Sequence, residues 1–148
     1  MASPADPLAP QGGERDREHV LIVDDDPKVL WFTRRILAEA GFETTAAPDG
    51  SDALELVRQR PKAFDAVVSD IVMPKLDGVA LLRHLSRLRP SLPVVLMSGY
   101  APPELHDRGL EAPCAVLPKP CDPDALVEAV RECIDGWSPP SRPERGPG

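Results

Sequence analysis

A chain of 148 residues, 42% of them apolar and 28% charged, has the length for one domain with a proper core and little room for a second. Its net charge of −7 excludes a general electrostatic grip on DNA, which requires a basic face to neutralise phosphates, so no direct DNA binding is expected. No apolar run is long enough to cross a bilayer and residues 1–18 hold no signal-peptide core, so neither a membrane nor a secretory role is indicated and a cytoplasmic protein is expected.

Residues 1–17 and 138–148 are rich in Pro, Gly and charge and poor in anything that can be buried, which predicts disordered tails around a single domain at 18–137. Within that domain short β-rich apolar runs alternate with longer stretches of helical spacing. Strands are expected over residues 19–24, 43–46, 65–69, 93–97 and 114–117, and helices over 27–40, 51–59, 78–88, 103–108 and 123–134. Asp26-Pro27 and Asp122-Pro123 mark two helix starts by one device: the Asp side chain caps free N–H groups, and Pro occupies the first turn without losing a hydrogen bond. Gly41 follows the first helix where a left-handed residue is wanted, and Asp77-Gly78 reads as the turn that starts the third. Five β–α repeats with near-continuous apolar strands, such as Val94-Val95-Leu96-Met97, imply an α/β fold: a parallel sheet covered by helices on both faces.

Three cysteines, Cys114, Cys121 and Cys133, form no C-x-x-C pair, and His19, His84 and His106 are scattered. Reduced thiols are the expectation, with neither a transition-metal site nor a phosphotransfer histidine.

The acids are more telling. Asp24, Asp25 and Asp26 follow the first apolar run, and Asp70 follows the third. In a doubly wound sheet the ligand lies beyond the carboxyl ends of the strands, at the point where strand order reverses. Carboxylates gathered there repel and raise one another's pKa, which a hard divalent cation and a nearby ammonium relieve. Lys119, in Leu117-Pro118-Lys119-Pro120, is the candidate ammonium, and magnesium-assisted phosphoryl capture is the chemistry to expect.

Four segments in order, residues 21–26 (LIVDDD), 68–78 (VSDIVMPKLDG), 96–100 (LMSGY) and 117–120 (LPKP), resemble the response-regulator receiver domain of two-component phosphorelay signalling. The resemblance implies a flavodoxin-like sheet of order 2-1-3-4-5, a signalling phosphoacceptor rather than a turnover enzyme, and Asp70 as the residue that accepts a phosphoryl group from a sensor histidine kinase or phosphotransfer protein. It further implies that Asp25 and Asp70 bind magnesium directly, Asp24 through water, and Val72 through its backbone carbonyl. Lys119 would pair with Asp70 before transfer and with a phosphate oxygen after it. Ser98 would supply the hydroxyl that hydrogen-bonds the phosphoryl group and pulls the following loop toward an active arrangement, changing how an unknown downstream protein is bound. Kinase choice would fall to the first helix, where Lys28, Trp31, Phe32 and Arg35 are candidates, and a homodimer through the fourth and fifth elements is compatible with the pattern.

The chain departs from the family at Val116, where an aromatic switch residue is common, and at Cys121, where Phe is usual; Tyr100 is an alternative contributor to an output surface. Val72 and Tyr100 flank the phosphoryl position, and neither the apolar Val nor the bulky Tyr orients an attacking water well, which predicts a slowly hydrolysed aspartyl phosphate. The string at 98–101 (SGYA) is similar to receivers attached to hybrid kinases, so the chain is either free-standing or a piece of a longer protein. Two rivals remain in view. Asp24-x-Asp26 resembles the nucleophile and acid of a haloacid-dehalogenase-type phosphohydrolase, and a pseudo-receiver would keep the fold while responding to protein contact alone.

Overall fold

The computed structural model describes residues 17–73, 76–98 and 113–137. Its elements alternate along the chain: β1 (His19–Val23), α1 (Pro27–Glu39), β2 (Glu43–Ala47), α2 (Gly50–Gln59), β3 (Ala66–Asp70), α3 (Gly78–Leu88), β4 (Val94–Ser98), β5 (Ala115–Pro118) and α4 (Pro123–Gly136). The strands form one parallel sheet of order β2-β1-β3-β4-β5, as expected. The order reverses between β1 and β3, whose register pairs Val23 with Ser69 and so brings Asp24 and Asp70 to the same edge.

Strand side chains alternate between two cores. Leu21, Val23, Val67, Val94 and Leu96 pack on one face with Ala53 and Val57 of α2 and Leu81, Leu82 and Leu85 of α3. Val20, Ile22, Ala66, Val68, Val95 and Met97 pack on the other with Leu37 of α1 and Leu126 and Val130 of α4. Burial on both faces explains why these strands read as continuous apolar runs rather than as alternating ones.

Each of the four described helices opens on an aspartate cap at the carboxyl edge of the sheet. Asp26 accepts from the Lys28 N–H, Asp49 from Asp52, Asp77 from Ala80 and Asp122 from Ala125. Pro27 and Pro123 occupy the first turns of their helices, and Gly41 follows α1 with φ at 103°, the left-handed conformation anticipated for it. Pro74 and Lys75, Tyr100, the helix expected over 103–108 and both expected tails apart from Arg17 lie outside the described residues.

Two sequence expectations are corrected. Strands β3, β4 and β5 run one residue later than their apolar patterns suggest, because Asp70, Ser98 and Pro118 remain in register with a neighbour: Asp70 with Met97, and Ser98 with Pro118. Polar character does not end a strand whose neighbour still offers hydrogen bonds. The second correction concerns the thiols. Cys114 and Cys133, expected to be reduced, are joined as a disulfide between the start of β5 and the last turn of α4, leaving Cys121 as the free thiol. Antiparallel packing of α4 against β4 and β5 brings together two residues that no local spacing relates.

Candidate functional site: an acidic pocket at the carboxyl edge of the sheet

Asp24 follows β1, Asp25 comes next, and Asp70 ends β3. One carboxylate oxygen from each lies within 4.8 Å of the others. Asp24 and Asp70 are buried and Asp25 is exposed, so the group forms a cup with one solvent-facing wall. Two deeper acids and one accessible acid are suited to capturing a cation from water.

Lys119, immediately after β5, reaches into this cup. Its Nζ is 3.2 Å from Asp24 Oδ2 and 3.2 Å from Asp70 Oδ2. The pairing with Asp70 was legible in the sequence; the equal pairing with Asp24 was not. The Lys119 N–H donates to the Ser98 carbonyl at 3.0 Å, which ties β5 to β4 at this edge, and the Lys119–Pro120 peptide is cis.

The electrostatics follow from this arrangement. Burial pushes the Asp24 carboxyl above its ordinary 3.8; the Asp26 N–H and the Lys119 ammonium oppose that push, and the Asp70 charge adds to it. Burial works against the Lys119 ammonium, yet Asp24 and Asp70 outweigh it and hold its pKa above 10.5. A carboxylate that remains uncomfortable even beside a lysine marks a place where a further positive charge is stabilising. All side-chain donors are hard oxygens, the chemistry that suits magnesium or calcium rather than softer metals. The residues present fit a magnesium ion.

Val72 lies in the loop after β3. Its N–H approaches Asp70 Oδ1 at 3.4 Å and its side chain is 69% exposed, so an apolar group stands at the lip of the cup. Ser98 closes β4 and is buried at the same edge. Asp26 does not join the acids. Its side chain caps α1 at 2.9 Å from the Lys28 nitrogen, and its own N–H donates to Asp24 Oδ1 at 2.9 Å, so the residue a phosphohydrolase would use as its acid is committed to the helix start.

Gly78 is a site residue that sequence reasoning treated as a turn alone. A Cβ there would overlap the Asp70 carbonyl oxygen and lie 2.8 Å from the Ile71 Cα, while the Gly78 N–H donates to the Ile71 carbonyl at 2.8 Å. The start of α3 is thereby pressed against the backbone that presents Asp70. The Asp77-Gly78 pair was the only available signal.

On α1, beside the pocket, Trp31 and Phe32 are 51% and 61% exposed, with their rings in edge contact at 5.2 Å. The Arg35 guanidinium lies 5.5 Å from the Trp31 ring centre and Lys28 is exposed, so the four candidates form one aromatic and basic surface. Val116 is also exposed on β5. No helix among the described residues is long and apolar enough to cross a membrane.

This fold is found in a known family. Residues 20–131 match the response regulator receiver domain, and the chain belongs to that family. Over 125 residues it is 34% identical to the DNA-binding transcriptional regulator NtrC of Escherichia coli K12, covering 84% of this chain and 26% of that protein. Over 118 residues it is 36% identical to the sensor kinase CckA of Brucella abortus, covering 78% of this chain and 12% of the kinase. The chain thus spans about a quarter or less of the length of these relatives. Among solved structures it is similar to a response regulator receiver protein from Sinorhizobium medicae, with a TM-score of 0.74, 30% identity and coverage of 83% and 98%. The receiver domain of the Francisella response regulator 1452 gives 0.71, 33%, 80% and 98%.

Proposed function

We propose that this protein is a phosphoacceptor: Asp70 takes a phosphoryl group from a phosphohistidine of a sensor histidine kinase or phosphotransfer protein, and the phosphorylated form binds its downstream partner differently. The observation that carries this reading is the convergence of Asp24, Asp25, Asp70 and the Lys119 ammonium at one strand edge.

A carboxylate oxygen of Asp70 attacks phosphorus, the bond to the imidazole nitrogen breaks with its electron pair leaving on the imidazole, and an acyl phosphate results. Asp70 needs no base to be nucleophilic, because a carboxylate is already ionised at neutral pH. Asp25 and Asp70, the Val72 carbonyl and, through water, Asp24 would hold magnesium. When bound, that ion neutralises charge gathering on the phosphoryl oxygens. Lys119 exchanges its contact with Asp70 for one with a phosphoryl oxygen and keeps Asp24 as its anchor. The Ser98 hydroxyl then serves as the second hydrogen-bond donor to the phosphoryl group, and its movement is transmitted to the loop that follows.

The exposed Trp31–Phe32 pair with Lys28 and Arg35 offers the kinase a surface next to the pocket, with apolar anchors and a basic rim. The reaction consumes the acceptor once per phosphoryl group, so the protein is a signalling component rather than a turnover enzyme. A cytoplasmic location fits this role. One domain over 18–137 and a capacity to form a homodimer complete the reading.

The test is incubation with acetyl phosphate and magnesium followed by intact-mass measurement and site mapping. One added phosphoryl group on Asp70, absent in Asp70→Asn, is the expected result; no adduct, or an adduct elsewhere, overturns the proposal.

A further inference from the structure

The strand that leads to Lys119 is the least secured in the sheet. β5 has four residues where each other strand has five, lies at the sheet's edge against β4 alone, and exposes Val116 and Pro118. Its ends are held by two backbone bonds: Cys114 N–H to the Val94 carbonyl at 2.7 Å, and Lys119 N–H to the Ser98 carbonyl at 3.0 Å. The disulfide adds a covalent hold at the first of these. Cys133 is 3% exposed and packs among Val95, Met97, Leu126 and Val130, so the bond ties the edge strand to a helix seated in the core. The 19-residue separation closes a ring comprising β5, the loop that starts with Lys119, and most of α4.

We infer that the Cys114–Cys133 disulfide is a redox gate on phosphoryl capture: closed, it holds β5 so that Lys119 stays against Asp24 and Asp70; opened, it lets the edge strand loosen and the ammonium leave. The inference rests on Asp70 being the phosphoacceptor. Cys114 and Cys133 are positioning residues here, since the bond lies at the opposite end of β5 from Lys119 and reaches the pocket only through the strand. In the cytoplasmic location proposed above permanent disulfides are rare, so there a bond in this place suits sensing better than permanent stapling.

The opening agent is a dithiol. One of its thiolates attacks the Cys114 sulfur, the more accessible of the pair, breaking the S–S bond and releasing the Cys133 thiolate, which takes up a proton. The second thiol of the reductant displaces Cys114 from the mixed disulfide. The protein gains two electrons and two protons, and the reductant leaves as a cyclic disulfide. Cys121 competes poorly in such exchange, because burial and the adjacent Asp122 carboxylate push its thiol pKa up.

The experiment compares the full chain as oxidised with the same chain reduced by dithiothreitol and desalted under nitrogen. Each is given phosphoramidate and magnesium and followed by intact mass. One alkylatable thiol before reduction and three after it are expected, together with several-fold slower labelling of the reduced form. Cys114→Ser should label at the slow rate with or without dithiol. In Lys119→Ala the two redox forms should label equally, and the reduced wild type should bind magnesium more tightly than the oxidised form, because the ammonium leaves while the three acids, which come from other strands, stay in place; neither result follows from a general loss of stability. Three alkylatable thiols before reduction, or equal labelling rates with the bond verified, would overturn the gate while leaving Asp70 as acceptor. No labelling in either form would overturn the acceptor reading and the gate together.

Discussion

Lys119 Nζ lies 3.2 Å from Oδ2 of Asp24, a carboxylate 95 residues earlier whose side chain is 1% exposed. With a second contact of 3.2 Å to Asp70, the lysine compensates two acids at once. Removing it in Lys119→Ala leaves two buried carboxylates facing each other, at a cost of about 1–3 kcal/mol to the metal-free fold. The same vacancy deepens the negative potential of the cup, so magnesium should bind more tightly and restore much of the lost stability. Phosphorylation should nonetheless slow by about 10²-fold, the usual scale for losing one charge-stabilising donor. Chemical denaturation in EDTA and in magnesium, paired with labelling rates, separates the two effects; weaker magnesium binding in the variant would contradict the account.

Asp24 carries a stability signature of its own. Its folded pKa is raised above 3.8 by burial, so the fold favours the protonated form. The stability this group contributes is fully present below 3.8 and is lost as pH rises through the raised folded value. Asp24→Asn cannot ionise and should escape that loss. In EDTA the variant should be the more stable protein near neutral pH by a few degrees of melting temperature, with its advantage shrinking as pH falls toward 4. In magnesium the order should reverse, because the variant binds the ion about tenfold less tightly. Thermal melts across pH in the two conditions give the comparison.

Much of this was legible in the chain because the relevant signals are local. Double burial makes Val94-Val95-Leu96-Met97 a continuous apolar run, an aspartate before a proline announces Asp26 and Asp122 as caps, and Asp77-Gly78 announces the turn that starts α3. Asp24, Asp25, Asp70 and Lys119 were found because each adjoins a strand end and the topology carries strand ends to one edge. What was missed depends on distance in space alone. The second partner of Lys119, the disulfide between Cys114 and Cys133, and the pressure of Gly78 on the Asp70 backbone join residues whose spacing in the chain matches no motif. Strand ends at Asp70 and Ser98 were placed short because polarity suggested a loop where the register still supplied a partner.

Val72 bears on how long a phosphoryl group would last. Its side chain is 69% exposed two residues after Asp70, where an apolar surface offers an attacking water no hydrogen bond. Val72→Asn supplies a carbonyl and an amide that can orient that water, and should shorten the lifetime of the aspartyl phosphate by severalfold without changing its formation. Decay followed by intact mass after removal of the phosphodonor measures this; a wild type that loses its label as fast as the variant would sink the idea.

Gly78 and Gly41 make a matched pair for asking whether the backbone behind Asp70 must be pressed so closely. At Gly78 an added methyl would overlap the Asp70 carbonyl oxygen and crowd the Ile71 Cα at 2.8 Å, and neither backbone atom can swing aside as a flexible side chain would. Gly78→Ala should therefore push α3 and the end of β3 apart, costing about 1–3 kcal/mol by overpacking. At Gly41 nothing lies within 4 Å of the added Cβ, and the strain comes from φ at 103° alone. Gly41→Ala should cost a comparable amount, about 1–2 kcal/mol. The two variants thus lose similar stability for different reasons, and magnesium separates them. Only the displacement at Gly78 is transmitted to a carboxylate of the pocket, so Gly78→Ala should bind magnesium more weakly while Gly41→Ala binds it as the wild type does. Equal magnesium affinities in two folded variants would show that the acids of the pocket tolerate a shift of the backbone that presents them.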